Sequence, residues 1–148
     1  CEAQECFDLV LSSEYDASRC TGKTTDETCK VSCAEGWTLS GNVATYTCAS
    51  SNNYTGTPPT CEANLCDSSS LPADGDLSVP TNCSSLRTSE SCTVTCGNGY
   101  VGGTSEYTCG ISGDIEGSRP TCSAATCSNT VPQQSDLTDT CDGKTFGE

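Results

Sequence analysis

Polar and apolar residues alternate in short stretches of the chain, and this alternation predicts β-strands. Residues 30–32 (Lys-Val-Ser) and 93–95 (Thr-Val-Thr) each place one apolar side chain between two polar ones. Residues 44–47 and 105–108 carry Thr and Tyr, which favour strands. No stretch keeps the apolar spacing of a helix beyond two turns. The predicted fold class is therefore all-β.

Small residues between these stretches predict turns. Gly41-Asn42 and Gly102-Gly103 can supply the positive φ angles that a hairpin turn requires. The apolar-rich residues 7–11 form too short a run to define one element. We expect either a strand or an irregular segment before the first strand there.

Cysteine adds a second and longer repeat. The chain has 148 residues and 15 cysteines; Cys66 follows Cys6 by 60 residues, and Cys127 follows Cys66 by 61. A fixed period of this size indicates a tandem array of modules. Cys1 precedes Cys6 by the interval that separates one module's last cysteine from the next module's first, so we interpret it as the end of a preceding module. The predicted divisions are residues 1–5 (end of the preceding module and linker), 6–61 (module), 62–65 (linker), 66–122 (module), 123–126 (linker) and 127–148 (start of a third, truncated module).

Large apolar residues are too scarce to build a conventional core. Leu, Ile, Val and Phe make up 19 of the 148 residues, and a module of about 60 residues buries little surface. Disulfides must supply much of the stability, and bridges at this density persist outside a reducing cytosol. We therefore expect an extracellular protein, secreted or at the cell surface. No apolar run is long enough to be a membrane span in this segment.

Charge and missing residue types exclude several functions. The net charge of −14 opposes nucleic acid binding, which needs a basic surface. The chain has no histidine, the common general base and zinc ligand, and no nucleophile or phosphate-binding motif. The sequence therefore predicts no enzyme, no cofactor and no metal site. Asp74-Gly75-Asp76 has two carboxylates of a calcium loop without the other ligands, and we interpret it as a turn.

Ser and Thr contribute 43 residues, a composition that predicts covalent glycans in a secreted chain. The alternative is the ordinary polarity of strands and turns. Asn53 begins an N-glycosylation sequon (Asn-Tyr-Thr) on a predicted surface loop. Asn82 begins a second sequon (Asn-Cys-Ser), a poorer acceptor because we expect its cysteine to be bridged. The O-glycosylation candidates lie in residues 21–28 and 84–91, and they are Thr21, Thr24, Thr25, Thr28, Ser84, Ser85, Thr88, Ser89 and Ser91.

A motif surrounds the cysteines of both complete modules: Val-x-Cys-x-x-Gly-aromatic, then Tyr-x-Cys, then Pro-x-Cys. It occupies residues 31–37, 46–48 and 59–61, and again residues 94–100, 107–109 and 120–122. The motif resembles that of the sushi domain, also called the complement control protein module. The resemblance implies small, disulfide-rich β modules joined end to end in an elongated array, like beads on a string.

The resemblance also implies a disulfide pairing. In sushi domains the first cysteine pairs with the third and the second with the fourth. The implied bridges are Cys6–Cys48, Cys33–Cys61, Cys66–Cys109 and Cys96–Cys122. Each module has two further cysteines that enclose eight residues. The simplest interpretation is an additional bridged loop, closed by Cys20–Cys29 or Cys83–Cys92, although six cysteines allow fifteen pairings. Cys1, Cys127 and Cys141 would then have partners outside the chain.

The modules depart from the sushi pattern in a second way, because they lack the tryptophan that usually lies between the third and fourth cysteines. This departure marks them as divergent. Trp37 and Tyr100 instead occupy one aligned position before the third cysteine. Since large apolar residues are few, we expect this pair to be the main core residues of the modules and not ligand-stacking groups.

Two functional hypotheses follow. The first is a structural repeat segment of an extracellular glycosylated filament or surface coat, whose partners are neighbouring copies or modules of the same protein. Its support is that a four-residue linker spans at most about 14 Å, so that neighbouring modules must touch. The second is a protein-binding array of an adhesion or receptor ectodomain, whose partner is another surface protein. Its support is that residues 21–28 and 84–91 differ at most positions.

Overall fold

The computed structural model describes residues 3–126. No α-helix occurs within these residues, and strands are the main regular elements, which confirms the predicted all-β class. The chain divides into two compact units. Among the described residues, the first unit comprises 3–66, Arg87–Ser89 and Cys109–Asp114, and the second comprises Asp67–Leu86, Glu90–Thr108 and 115–126. Cys1, Cys127, Cys141 and the third module predicted at residues 127–148 lie outside the described residues.

Six strands lie in the first unit. They are β1 (Tyr15–Asp16), β2 (Thr28–Cys33), β3 (Trp37–Ser40), β4 (Ala44–Cys48), β5 (Tyr54–Thr55) and β6 (Thr60–Ala63). Antiparallel pairing gives a four-stranded sheet in the order β1-β2-β4-β5 and a separate two-stranded sheet of β3 and β6. A short 3-10 helix, Ser18–Cys20, precedes β2.

The remaining strands repeat this arrangement. They are β7 (Leu77–Ser78), β8 (Ser91–Cys96), β9 (Tyr100–Gly102), β10 (Thr104–Cys109), β11 (Ile115–Gly117) and β12 (Cys122–Ala124). One sheet has the order β11-β10-β8-β7, and the other pairs β12 with β9. Two 3-10 helices, Ser68–Ser70 and Thr81–Ser85, come before β8.

The alternation of polar and apolar residues explains the central strands. In β2, Cys29 and Val31 are buried while Thr28 and Lys30 are exposed. Strand β8 has the same order of buried and exposed residues. This period of two places one face of each strand in the core and the other in water. The strands predicted from the pattern are confirmed here.

The predicted hairpin turns are wrong. Gly41 has a positive φ of 99°, but β3 before it pairs with β6 and not with β4. Gly102 belongs to strand β9, where a Cβ atom would lie only 2.1 Å from the carbonyl oxygen of Thr121. The third strand of each module pairs with the last one, so the residues around these glycines connect two different sheets.

The buried core of the first unit does not include Trp37, the aromatic residue expected there. Cys20, Cys29, Val31 and Tyr46 form the buried cluster of the first unit. Trp37 is only half-buried, because it lies in the two-stranded sheet opposite Ala63, outside this cluster. Tyr100 is half-buried in the same way in β9. The prediction that these two aromatics are the main core residues is therefore wrong, because a disulfide, a valine and a different aromatic residue, Tyr46, form the core of the first unit.

Strand pairing also continues past the last cysteine of the first module. Glu62 and Ala63, which the cysteine spacing assigns to a linker, belong to β6 and pair with Thr38 and Trp37. Strand β12 likewise includes Ser123 and Ala124 of the second predicted linker. The stretches outside regular structure are thus shorter than the cysteine positions indicate.

Candidate functional site

Six disulfides frame the surfaces on which a functional site could lie. They are Cys6–Cys48, Cys20–Cys29, Cys33–Cys61, Cys66–Cys109, Cys83–Cys92 and Cys96–Cys122. These are the six pairs that the sushi resemblance and the additional bridged loops imply. Their Cα separations, from 5.1 to 5.8 Å, lie within the range that a disulfide needs.

The additional bridged loop of the first unit contains a local polar network. The carboxylate of Glu27 accepts hydrogen bonds from the backbone N–H of Thr24 at 2.7 Å and from its hydroxyl at 2.9 Å. The backbone N–H of Glu27 in turn donates to the Thr24 carbonyl at 2.9 Å. These hydrogen bonds favour the charged carboxylate, so the pKa of Glu27 is lowered, first by the Thr24 backbone and then by its hydroxyl.

Most of the O-glycosylation candidates lie where a sugar could be attached, but one does not. Thr88 is only 2% exposed, and its hydroxyl donates to the carbonyl oxygen of Gly36 at 2.6 Å. O-glycosylation of Thr88 does not fit the folded protein, because the sugar would replace this buried hydrogen bond. Thr24 and Thr25 are half-buried. The exposed candidates are Thr21, Thr28, Ser84, Ser85, Ser89 and Ser91.

The two N-glycosylation sequons have different surroundings. Asn53 is exposed just before β5, and its side-chain amide donates to the carbonyl of Ser51 at 2.9 Å. Asn82 is exposed too, but it lies inside a 3-10 helix beside Cys83, which is fully buried and bonded to Cys92. The two sites thus differ in that the Asn53 sequon has no bridged cysteine, whereas the Asn82 sequon contains one.

The carboxylates of the Asp74-Gly75-Asp76 turn contact a cation of the chain itself. The guanidinium of Arg119 lies 3.1 Å from the carboxylate of Asp74 and 2.7 Å from that of Asp76. The hydrogen bonds to these two carboxylates raise the pKa of Arg119, with Asp74 the larger cause. Across residues 3–126, no group of three or more potential ligands could hold a metal ion.

Each complete module packs a glycine on a buried tyrosine ring. A Cβ atom on Gly56 would lie 2.7 Å from the ring of Tyr46, and one on Gly117 would lie 2.5 Å from the ring of Tyr107. Both tyrosines are 4% exposed. The sequence aligns the two glycines but does not reveal this role, because nothing in the local pattern tells which ring lies beneath them.

The first unit exposes apolar side chains that the core does not use. Phe7 is 67% exposed and Val10 is 87% exposed, whereas Leu9 and Leu11 between and beside them pack against the buried cluster. The sequence does not reveal this surface, because a run of apolar residues does not by itself tell which side chains face outward.

Three acidic residues of the first unit lie close enough to Tyr54 to affect its pKa. Burial raises the pKa of Tyr54, and the negative charges of Asp8, Glu27 and Glu5 raise it further. All three carboxylates therefore act on the same ring. The surface near Phe7 combines exposed apolar groups with negative charge.

Within residues 3–126, the structure has no helix with the length and apolar character that crossing a membrane requires.

Comparison with known proteins gives two findings. Residues 6–61 match the family model of the Sushi repeat (SCR repeat). The chain is also similar to E-selectin of Oryctolagus cuniculus, with 30% identity over 132 residues that cover 86% of this chain and 23% of that protein. E-selectin of Homo sapiens is 31% identical over 134 residues, covering 86% of this chain and 22% of that protein. P-selectin of Mus musculus is 31% identical over 131 residues, covering 85% of this chain and 17% of that protein.

The chain thus spans no more than 23% of the length of these relatives. Sushi repeats with several disulfides and the similarity to selectins indicate an extracellular protein, secreted or at the cell surface, as the cysteine content predicts.

Proposed function

We infer, from the premise that residues 6–61 belong to the sushi repeat family, that this chain is part of a protein-binding array in an adhesion or receptor ectodomain. The observation that carries this inference is the extent of the similarity to selectins. It covers 86% of the chain, which is more than one repeat contains. The function that fits best is binding to another surface protein.

The distribution of constant and variable residues supports binding. Both complete modules use the same strands and the same three bridges as a frame. Exposed residues differ between them: Gly22 and Asp26 of the first module align with Ser85 and Ser89 of the second. A rigid frame that carries variable exposed segments is typical of recognition proteins.

The filament hypothesis has weaker support than the binding hypothesis. The similarity to selectins favours an ectodomain that binds other proteins. Covalent sugars remain part of the proposal, with an N-linked glycan on Asn53 and O-linked glycans on the exposed hydroxyls of residues 21–28 and 84–91. The sugars would add bulk and solubility around the binding surfaces.

The test is to find a partner and measure its binding. The oxidised 148-residue chain, biotinylated at its amines, would be incubated with intact cells of its source, cross-linked, and the captured protein identified by mass spectrometry. The partner would then be purified and titrated with the chain. We expect one saturable interaction that is lost when the chain is reduced and alkylated. Capture of a different set of proteins each time the experiment is performed would contradict the proposal, and so would equal capture by the reduced chain.

A further inference from the structure

Residues 7–12 of the first unit lie outside regular secondary structure and leave backbone groups open. The segment contains no helix, turn or bend, and none of its residues has a positive φ. The N–H of Phe7 donates to the carbonyl of Asn52 at 2.9 Å, and the carbonyl of Ser12 accepts from Tyr15 at 3.1 Å. Within the described part of the chain, the backbone of residues 8–11 makes no hydrogen bond. These groups are left to water or to a partner.

The side chains of this segment alternate as they would in a strand. Leu9 and Leu11 pack against the buried cluster, while Asp8 and Val10 face solvent. With Phe7 at 67% and Val10 at 87%, the segment carries the two most exposed large apolar side chains among the described residues. Leu9 and Leu11 anchor one face of the segment. Val10 lies on the opposite face, and Phe7, on the same face as the two leucines, stays exposed.

The equivalent segment of the second unit, residues 67–71, makes local hydrogen bonds instead. The Asp67 carboxylate accepts the N–H of Ser69 at 2.9 Å, and the N–H of Leu71 donates to the Ser68 carbonyl at 3.1 Å. The residues aligned with Phe7 and Val10 are Asp67 and Ser70. The fold of a module therefore does not require exposed apolar residues at these positions.

We propose that residues 7–11 form a docking edge for an extended, basic peptide segment of another protein, which pairs with this backbone as an added strand. Unpaired N–H and C=O groups on an extended segment are the usual template for strand addition. The exposed Asp8 lies within this segment and the exposed Glu5 lies two residues before it, and the chain carries a net charge of −14. Lysine or arginine in the partner would complement this charge, and apolar side chains on the two faces of the added strand would cover Phe7 and Val10. The proposal rests on the proposed function and names the surface and the partner chemistry for it.

The probe for this edge is a short, capped peptide of alternating lysine and valine, titrated into the isotopically labelled 148-residue chain. We expect saturable shifts of amide signals in residues 7–11 and around Asn52. The double variant Phe7→Asp, Val10→Ser carries the second unit's residues. It should weaken binding about tenfold or more, because the exposed apolar anchors are lost. The control Val101→Ser removes an apolar residue that is 58% exposed elsewhere, and it should leave binding unchanged.

The added charge of the double variant distinguishes strand addition from a purely electrostatic attraction. It adds a carboxylate, so a purely electrostatic attraction would strengthen, whereas strand addition onto Phe7 and Val10 must weaken. A peptide with N-methyl groups on alternate residues should also fail to bind, because it lacks the backbone donors. Equal binding by the double variant, equal binding of the N-methylated peptide, or shifts outside residues 7–11 and 49–55 would overturn the proposal.

The peptide titration and the test for a cell-surface partner can fail independently of each other. If a cell-surface partner binds the double variant as well as the original chain, the array binds protein but not through this edge. If no saturable partner exists while the peptide still docks at residues 7–11, the proposed function fails and the edge does not.

Discussion

The hydroxyl of Thr88 donates to the carbonyl oxygen of Gly36 at 2.6 Å, although 52 residues separate the two in the sequence. Thr88 is 2% exposed, and its backbone N–H donates to the carbonyl of Asn64 at 2.9 Å. Gly36 has a φ of 84°, and a Cβ atom there would lie 2.9 Å from Cγ2 of Thr88 and 3.0 Å from Cα of Ile111. The hydroxyl and the backbone N–H of Thr88 are thus both hydrogen-bonded, and Thr88 packs against a position where only a residue without a Cβ atom fits without strain.

Replacing Thr88 by valine should lower the free energy of unfolding by about 1 kcal/mol, because it removes one buried hydrogen bond without changing the shape of the side chain. The Gly36 carbonyl keeps its hydrogen bond from the N–H of Asn64 at 3.0 Å, which limits the loss. Guanidinium unfolding with the disulfides intact measures the change. The matched control is Thr25→Val at the aligned position, where the hydroxyl bond to Gln4 is longer, at 3.2 Å. Equal losses in both variants would mean that the burial of the Thr88 hydroxyl has no special effect.

Replacing Gly36 by alanine should cost more than replacing Gly41. Both have positive φ, 84° and 99°, so an alanine is strained by about 1–2 kcal/mol at either position. Only Gly36 has neighbours close to the added Cβ, since nothing lies within 4 Å of it at Gly41. Overpacking adds about 1–3 kcal/mol at Gly36. Thermal unfolding of the two variants measures the difference, and equal midpoints would show that the close approach of Thr88 and Ile111 does not matter.

The pKa of Glu27 should rise toward its ordinary value in Thr24→Val, because the variant removes the hydroxyl but keeps the backbone donor. In the folded chain this pKa is lowered, so its stabilising contribution is complete above the unfolded pKa and is lost as pH falls through the folded pKa. A titration of the side-chain carboxyl signal by NMR measures the shift. Thr57→Val, an exposed threonine, is the control. An unchanged pKa in the Thr24 variant would mean that the hydroxyl does not act on Glu27.

Sugars should be attached at Asn53 and not at Asn82 or Thr88 when the chain is secreted from eukaryotic cells. Asn53 lies on an exposed loop, Asn82 lies in a helix tied by the buried Cys83, and Thr88 is itself buried. Mass spectrometry of peptides, with and without enzymatic removal of N-glycans, locates the sugars. Asn53→Gln should abolish the N-linked mass. A sugar on Thr88 would be incompatible with the burial of its hydroxyl in the first unit.

The strands and the disulfide frame can be predicted from the sequence, for different reasons. Local alternation is enough to identify β2 around Val31, because a half-buried strand imposes a period of two on its own residues. The pairing of Cys6 with Cys48 and of Cys33 with Cys61 depends on the resemblance to sushi domains, since spacing alone leaves fifteen choices.

The burial of Thr88, the partial exposure of Trp37 and the exposure of Phe7 cannot be predicted from local patterns or from the resemblance. Thr88 lies in a hydroxyl-rich, mostly polar segment, and its burial depends on Gly36, which is distant in sequence. Trp37 is the chain's only tryptophan, yet the pairing of β3 with β6 takes it out of the main sheet. The exposure of Phe7 depends on which side of its segment packs on the core. Each outcome is set by tertiary contacts that local patterns do not contain.

Binding to another protein at the cell surface is the function on which the other proposals depend. The most direct test is to measure how the oxidised, fluorescently labelled chain binds intact cells over a wide concentration range, with the reduced and alkylated chain as control. We expect a single saturable curve that unlabelled chain displaces and that reduction abolishes. Binding that rises linearly without saturation, or that the reduced chain reproduces, would contradict this function.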